Sequence, residues 1–175
     1  MAPNVARHVP ILNRLGPAVI QATLAVAALI TGVLVYYLDR DPGTAYFLSK
    51  LPFTAQGTDL FFGELGKQLP EFLHVFALIL LTSAVLSPDQ RGLLAISAFW
   101  FCIECFFEIG QHTVLAPHLA ALIPSWFQEV PILERTADFF LLGTFDILDV
   151  LAIAAGTIVG YFTSSTISKW RISNG

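Results

Sequence analysis

The sequence predicts an all-α, polytopic membrane protein: a bundle of four transmembrane helices with interfacial outer segments, forming one membrane domain over residues 1–175. Three observations carry this. Hydrophobic residues make up 55% of the chain and charged ones only 13%, against about 25% charged in a typical soluble domain. The mean hydropathy is +0.71. Apolar residues also collect in four long runs, each close to the roughly 20 residues a helix needs to cross the hydrocarbon layer. The formal net charge of -4 gives no basic footprint for nucleic acid, so the expected partners are membrane lipid and other membrane proteins.

The first run, Pro17 to Leu38, follows Arg7 and Arg14. Its length of about 22 residues exceeds the apolar core of a signal peptide, and no small-x-small cleavage pattern follows, so it reads as a retained helix. The second, Leu69 to Leu86, and the third, Gly92 to Gly110, flank the tight turn Ser87-Pro88-Asp89-Gln90-Arg91. The fourth, Ile147 to Thr163, is preceded by Asp146. Arg7, Arg14, Arg91, Lys169 and Arg171 fall on short flanks on one side. Arg40, Lys50, Lys67 and Arg135 are diluted among acids in two longer segments on the other. Positive residues favour the cytoplasmic side, so both termini are expected there.

The two outer segments, Asp39 to Gln68 and His112 to Asp146, are too apolar for free loops. Tyr46 to Leu51 and His118 to Phe127 mix apolar and aromatic residues in lengths too short to span, so they are expected at the interface or folded over the outer end of the bundle.

Acids inside a bilayer cost about 2.5–3.5 kcal/mol each on insertion scales, which makes each a candidate functional residue. At about 100° per residue, Trp100, Glu104, Glu108 and Gln111 share one stripe of the third helix, with Ser97 one turn further in. Asp146, Asp149, Gly156 and Gly160 share a stripe of the fourth, and His74 stands one turn into the second, near Glu71. Alternating helix direction brings His74, Glu104, Glu108, Gln111, Asp146 and Asp149 toward one membrane face as a candidate ligand-binding cluster. The small-xxx-small pattern Gly156 to Gly160 permits close helix approach and is expected to carry the carboxylates of the fourth helix toward the third.

Bland readings stand beside these. Glu108 and Asp149 can serve as neutral carboxyls joining helices by hydrogen bonds, since burial disfavours the charged form, and His74 can be a satisfied core histidine. A metal site of His74, Glu108 and Asp149 is chemically allowed, but neither HExxH nor ExxH occurs, so no metal or cofactor is expected. Cys102 and Cys105 have C-x-x-C spacing without the strand-helix setting of a redox motif and read as two buried thiols.

Taken in order, Leu-Pro-Glu-Phe-Leu-His74, Glu108-Ile-Gly-Gln111, and Thr-Phe-Asp146-Ile-Leu-Asp149-Val-Leu-Ala with Gly156 resemble the VanZ-like family of membrane proteins. That family has a histidine early in its second helix, an E-x-x-Q near the end of its third, and a D-x-x-D leading into a glycine-containing last helix. The resemblance covers about half the chain. Where the family commonly has an arginine before the D-x-x-D and an asparagine four residues after its second acid, this chain has Gly143-Thr144 and Ile153. Its segment between Gln111 and Asp146 is also longer than the family's short loop. The family is associated with glycopeptide (teicoplanin) resistance and brings no catalytic mechanism. The resemblance implies a cell-envelope protein of the bacterial cell (inner) membrane, whose outer-face cluster takes a lipid headgroup or other polar ligand. An accessory subunit of a larger membrane complex, docking through aromatic-rich outer segments, is the alternative. An enzyme acting on a lipid-linked substrate, with a carboxylate as base and His74 as acid, is the least supported reading.

Overall fold

The computed structural model describes residues 11–39, 61–131 and 133–173. Among them are six α-helices: α1 (Ile11–Asp39), α2 (Leu69–Leu86), α3 (Gln90–Gly110), α4 (Ala116–Leu122), α5 (Thr136–Leu142) and α6 (Ile147–Ser173). Four have the length and apolar composition to cross a membrane, over Gly16–Asp39, Leu69–Leu86, Gln90–Gly110 and Ile147–Lys169. Large apolar side chains point outward all round the bundle, including Ile30, Val85, Leu94, Phe99 and Phe162. An apolar exterior of that extent requires lipid rather than water, and the chain is a multi-pass membrane protein.

Three of the helices differ from the expected spans, α3 by starting at Gln90 rather than Gly92. The helix containing the first span begins at Ile11, with Pro17 inside it. The last helix continues through Lys169 to Ser173, ten residues beyond Thr163. The expected interfacial stretch Tyr46 to Leu51 lies outside the described residues.

Short local signals set the order of the helices. Pro70 lies in the first turn of α2, where its missing N–H costs no helical bond. At the other end Ser87 adopts a left-handed conformation (φ 47°) and its N–H reaches the carbonyl of Ser83, closing the helix as a left-handed cap does. Asp89 then caps α3 by accepting the Gly92 N–H at 2.8 Å. The result is a tight antiparallel hairpin.

α2 is the centre of the bundle, packing chiefly on α1 and α6. Ala25 and Ala28 of α1 meet Ala77 and Leu80 of α2. On the other side of α2, Gly156 of α6 lies against the Phe72 backbone and Val75, and Gly160 against Ile79. Ascending α6 therefore matches ascending α2, so the two helices run parallel. The glycine pattern does allow close approach, but the neighbour is α2, not the expected α3: a Cβ at position 156 would collide with the Phe72 carbonyl oxygen. α3 joins through a cluster of Leu93 and Cys105 with Val75, Ile79 and Ile153.

The end of α1, the starts of α2 and α6 and the end of α3 consequently meet at one end of the bundle, here called the site end. There Asp39 accepts the N–H groups of Phe61 and Phe62 at 2.7 and 2.9 Å. α4 and α5 fold across the end of α3: a Cβ at Gly110 would fall 2.6 Å from Phe140 and 2.9 Å from Leu119. The second outer segment thus covers the bundle end, one of the two arrangements expected of it. The opposite, turn end holds Ser87 and the later turns of α6.

Candidate functional site

The polar stripe of α3 faces inward. Ser97 and Glu108 are buried, Trp100, Glu104 and Gln111 partly so, while Phe99 and Phe106 face out. An inward carboxylate needs a partner, because an uncompensated polar group in a low-dielectric setting costs several kcal/mol. Each stripe residue of the site end meets a different element.

Glu104 pairs with α2: its Oε1 lies 3.3 Å from His74 Nδ1. The two side chains differ in exposure, 54% for His74 and 14% for Glu104, so the pair has a closed carboxylate side and an open imidazole side. One turn further along, Glu108 is 7% exposed and its Oε1 accepts the Asp146 N–H at 2.8 Å. That bond ties the end of α3 to the residue preceding α6. Asp146 turns its own Oδ1 to the Leu148 N–H at 2.9 Å, acting as a helix cap. A carboxylate accepting a backbone N–H is among the stronger neutral-donor bonds, and here it fixes where α6 begins.

Gln111 closes the end. Its side-chain amide lies over Gly143 so closely that a Cβ there would overlap the amide oxygen. Beside it, His112 and Phe145 have ring centroids 5.8 Å apart. Asp149 is half-buried and shares the α6 face that carries Gly156 and Gly160, which is turned to α2.

All six expected site residues thus lie at the site end, but five of them form two levels rather than one cluster, and Asp149 stands apart on the α6 face turned to α2. His74 with Glu104 makes the deeper level. Glu108 with the Asp146 backbone and Gln111 over Gly143 makes the shallower one, about 6 Å away for four residues of helix. Among the described residues, no three His, Cys, Asp or Glu side chains converge as metal ligands. Cys105 is buried but Cys102 is exposed, correcting the expectation of two buried thiols: the roughly 60° offset between helix positions three apart carries Cys102 past the edge of the buried stripe.

The structure also contains polar contacts not anticipated from the sequence, toward the turn end. Gln21 of α1 donates to Ser164 Oγ of α6 at 2.9 Å, fully inside the bundle. Gln90 reaches the Tyr161 hydroxyl at 2.5 Å and Ser165 Oγ at 3.3 Å. Trp100 Nε1 donates to Thr82 Oγ1 at 3.0 Å. A glutamine within an apolar run was the available signal for the first, because polar side chains between spans commonly join helices.

Packing accounts for the residues at positions 143 and 153. At Gly143 the Gln111 amide leaves no room for a side chain, and Ile153, 1% exposed, is part of the α2–α3–α6 core. No family model, curated protein or solved structure matches the chain.

Proposed function

We propose that the chain is a VanZ-like protein of the bacterial inner membrane, with both termini cytoplasmic, and that its site end binds a lipid headgroup or other polar ligand at the outer face. The observation that carries this reading is Glu108, an almost fully buried acid at a membrane-spanning helix end, held by the Asp146 N–H one turn from the His74–Glu104 pair. Ionisable groups on the inner face of spanning helices are costly, which makes each a functional-site candidate by default. His74 offers the accessible side of the site, and Glu104, Glu108, Gln111, Asp146 and Asp149 form its lining. The orientation rests on the bias of basic residues, to which Arg91 and Lys169 contribute.

Native mass spectrometry of protein released from membranes in mild detergent tests the reading. A lipid should accompany the wild-type chain and be lost from a Glu108→Ala, Asp149→Ala double variant that still inserts. Equal lipid retention by the variant contradicts it.

A second reading, an accessory subunit of a membrane protein complex, is favoured by one feature. The segment over the site end presents Leu122, Trp126 and Leu142 outward, each more than half exposed; aromatic and large apolar residues are typical of interface cores. Migration of the chain alone at its own mass in the same preparation counts against this alternative.

A further inference from the structure

α2 has one face that no other helix covers. At about 100° per residue, His74, Leu78, Leu81 and Val85 share a single stripe of it. Ala77 and Leu80, which meet Ala25 and Ala28 of α1, lie along one side of the stripe, and Thr82, bonded to Trp100 of α3, lies along the other. Among the described residues, α1 and α3 each pack on α2 rather than on one another. The stripe is therefore the floor of a groove whose walls are α1 and α3. Exposure agrees with this: Leu78 and Leu81 are half-buried, His74 is 54% exposed and Val85 81%.

Three features of the groove indicate its occupant. Its floor is apolar except at the site end, where the His74–Glu104 pair closes it. That pair stands inside the spans, about 7 Å from the start of α2 and about 9 Å from the end of α3 by helical rise. Over this end the bundle is covered, by Phe61 and Phe62 held on Asp39 of α1 and by Leu119 and Phe140 closing on Gly110 of α3. The exposed imidazole consequently opens sideways into the membrane. Finally, the groove runs about 16 Å from His74 to Val85, close to half of the roughly 30 Å hydrocarbon core and so to the depth of one leaflet's acyl chains.

We propose that this groove holds an acyl chain of a bilayer lipid whose headgroup reaches His74 laterally from the membrane. The inference rests on the site end being a ligand site, and it narrows the ligand to a lipid held by chain and headgroup together, not a polar solute entering from water. With Nδ1 turned to Glu104, the imidazole leaves Nε2 for the headgroup, as donor or acceptor according to its protonation. Phosphatidylethanolamine offers a partner in either case, through its phosphate or its ammonium, and is the probe of choice.

The test uses the full-length chain in mild detergent with Trp126→Phe and Trp170→Phe, which leaves Trp100, on the wall of the groove, as its one tryptophan. Phosphatidylethanolamine brominated on its acyl chains should quench Trp100 with saturation at one lipid per chain. Unbrominated lipid should reverse the quenching, and glycerophosphoethanolamine, the water-soluble headgroup, should not at the same concentration. A tryptophan moved to the outward face of α3 by Phe99→Trp with Trp100→Phe should be quenched only in proportion to total lipid. Quenching of Trp100 that does not saturate, reversal by the headgroup alone, or shielding of Trp100 by a co-purifying membrane polypeptide overturns the proposal. Lipid retention that still depends on Glu108 and Asp149 while Trp100 stays unquenched would overturn the groove and leave the outer site standing; saturable quenching that persists in the Glu108→Ala, Asp149→Ala variant would uphold the groove and remove those acids from the site.

Discussion

The two ends of the bundle hold their polar groups by different means. At the site end the groups are ionisable and each is engaged by a different element: Glu104 by His74, Glu108 by the Asp146 N–H. At the turn end the helix-to-helix contacts are made by amides and hydroxyls, with Gln21 bonded to Ser164 and Gln90 to Tyr161 and Ser165, while the carboxylate there, Asp89, is exposed and caps its own helix. Neutral polar contacts between spans contribute about 0.6 kcal/mol each, enough to set which helices touch. A buried carboxylate is a far more costly way to join helices, which points to a task at the site end beyond holding the bundle together.

Substitutions can break or sharpen that contrast, with chemical or thermal unfolding in detergent as the readout. The largest effect belongs to packing that serves both ends. Gly156→Leu pushes a side chain into the Phe72 backbone and should destabilise by about 3 kcal/mol, the upper range for overpacking. Gly160→Ala should be far milder, because a Cβ there meets Ile79 side-chain atoms at 3.3 Å and beyond; equal losses would mean that α6 does not lie on α2 in this register. Next comes Glu108→Ala, which leaves the Asp146 N–H without its acceptor and should cost about 2 kcal/mol, in the range for hydrogen bonds to charged groups. Glu108→Gln keeps an acceptor oxygen and should recover most of that loss. At the turn end, Gln21→Leu should cost only about 0.6 kcal/mol. A loss matching that of Glu108→Ala would erase the difference between the ends. Smallest is Lys67→Ala, which removes an exposed pair with Glu64 and should shift stability by less than about 0.5 kcal/mol.

Hydropathy and helical periodicity made the spans and the inward stripe of α3 legible in the sequence, because both depend on the local order of residue types. Which helix each stripe meets depends on tertiary register instead. The Gly156–Gly160 spacing signals a close neighbour but cannot name it, and the neighbour is α2. The length of α6 was underestimated because Ser164, Ser165 and Lys169 end the apolar run. Two of those residues, Ser164 and Ser165, are buried against Gln21 and Gln90 and so do not break the helix. The short α4 and α5 were hidden by prolines and by lengths below those at which periodicity is informative. Glu108 stood out as an acid in an apolar run, yet its partner is a backbone N–H, which no side-chain pattern reveals. Gln21, Ser164 and Ser165 are not distinguished by hydropathy, because one uncharged polar residue changes the average of a span-length window little and does not name its partner.

Thiol labelling tests most directly whether the ionisable groups of three spanning helices meet at one face. In a background with Cys102→Ser and Cys105→Ser, single His74→Cys, Gln111→Cys and Asp146→Cys variants are treated with a membrane-impermeant reagent in right-side-out and inverted vesicles. All three should react from the same side, the one opposite the termini. Reaction of His74→Cys and Asp146→Cys from opposite sides would contradict the shared site end and the function proposed for it.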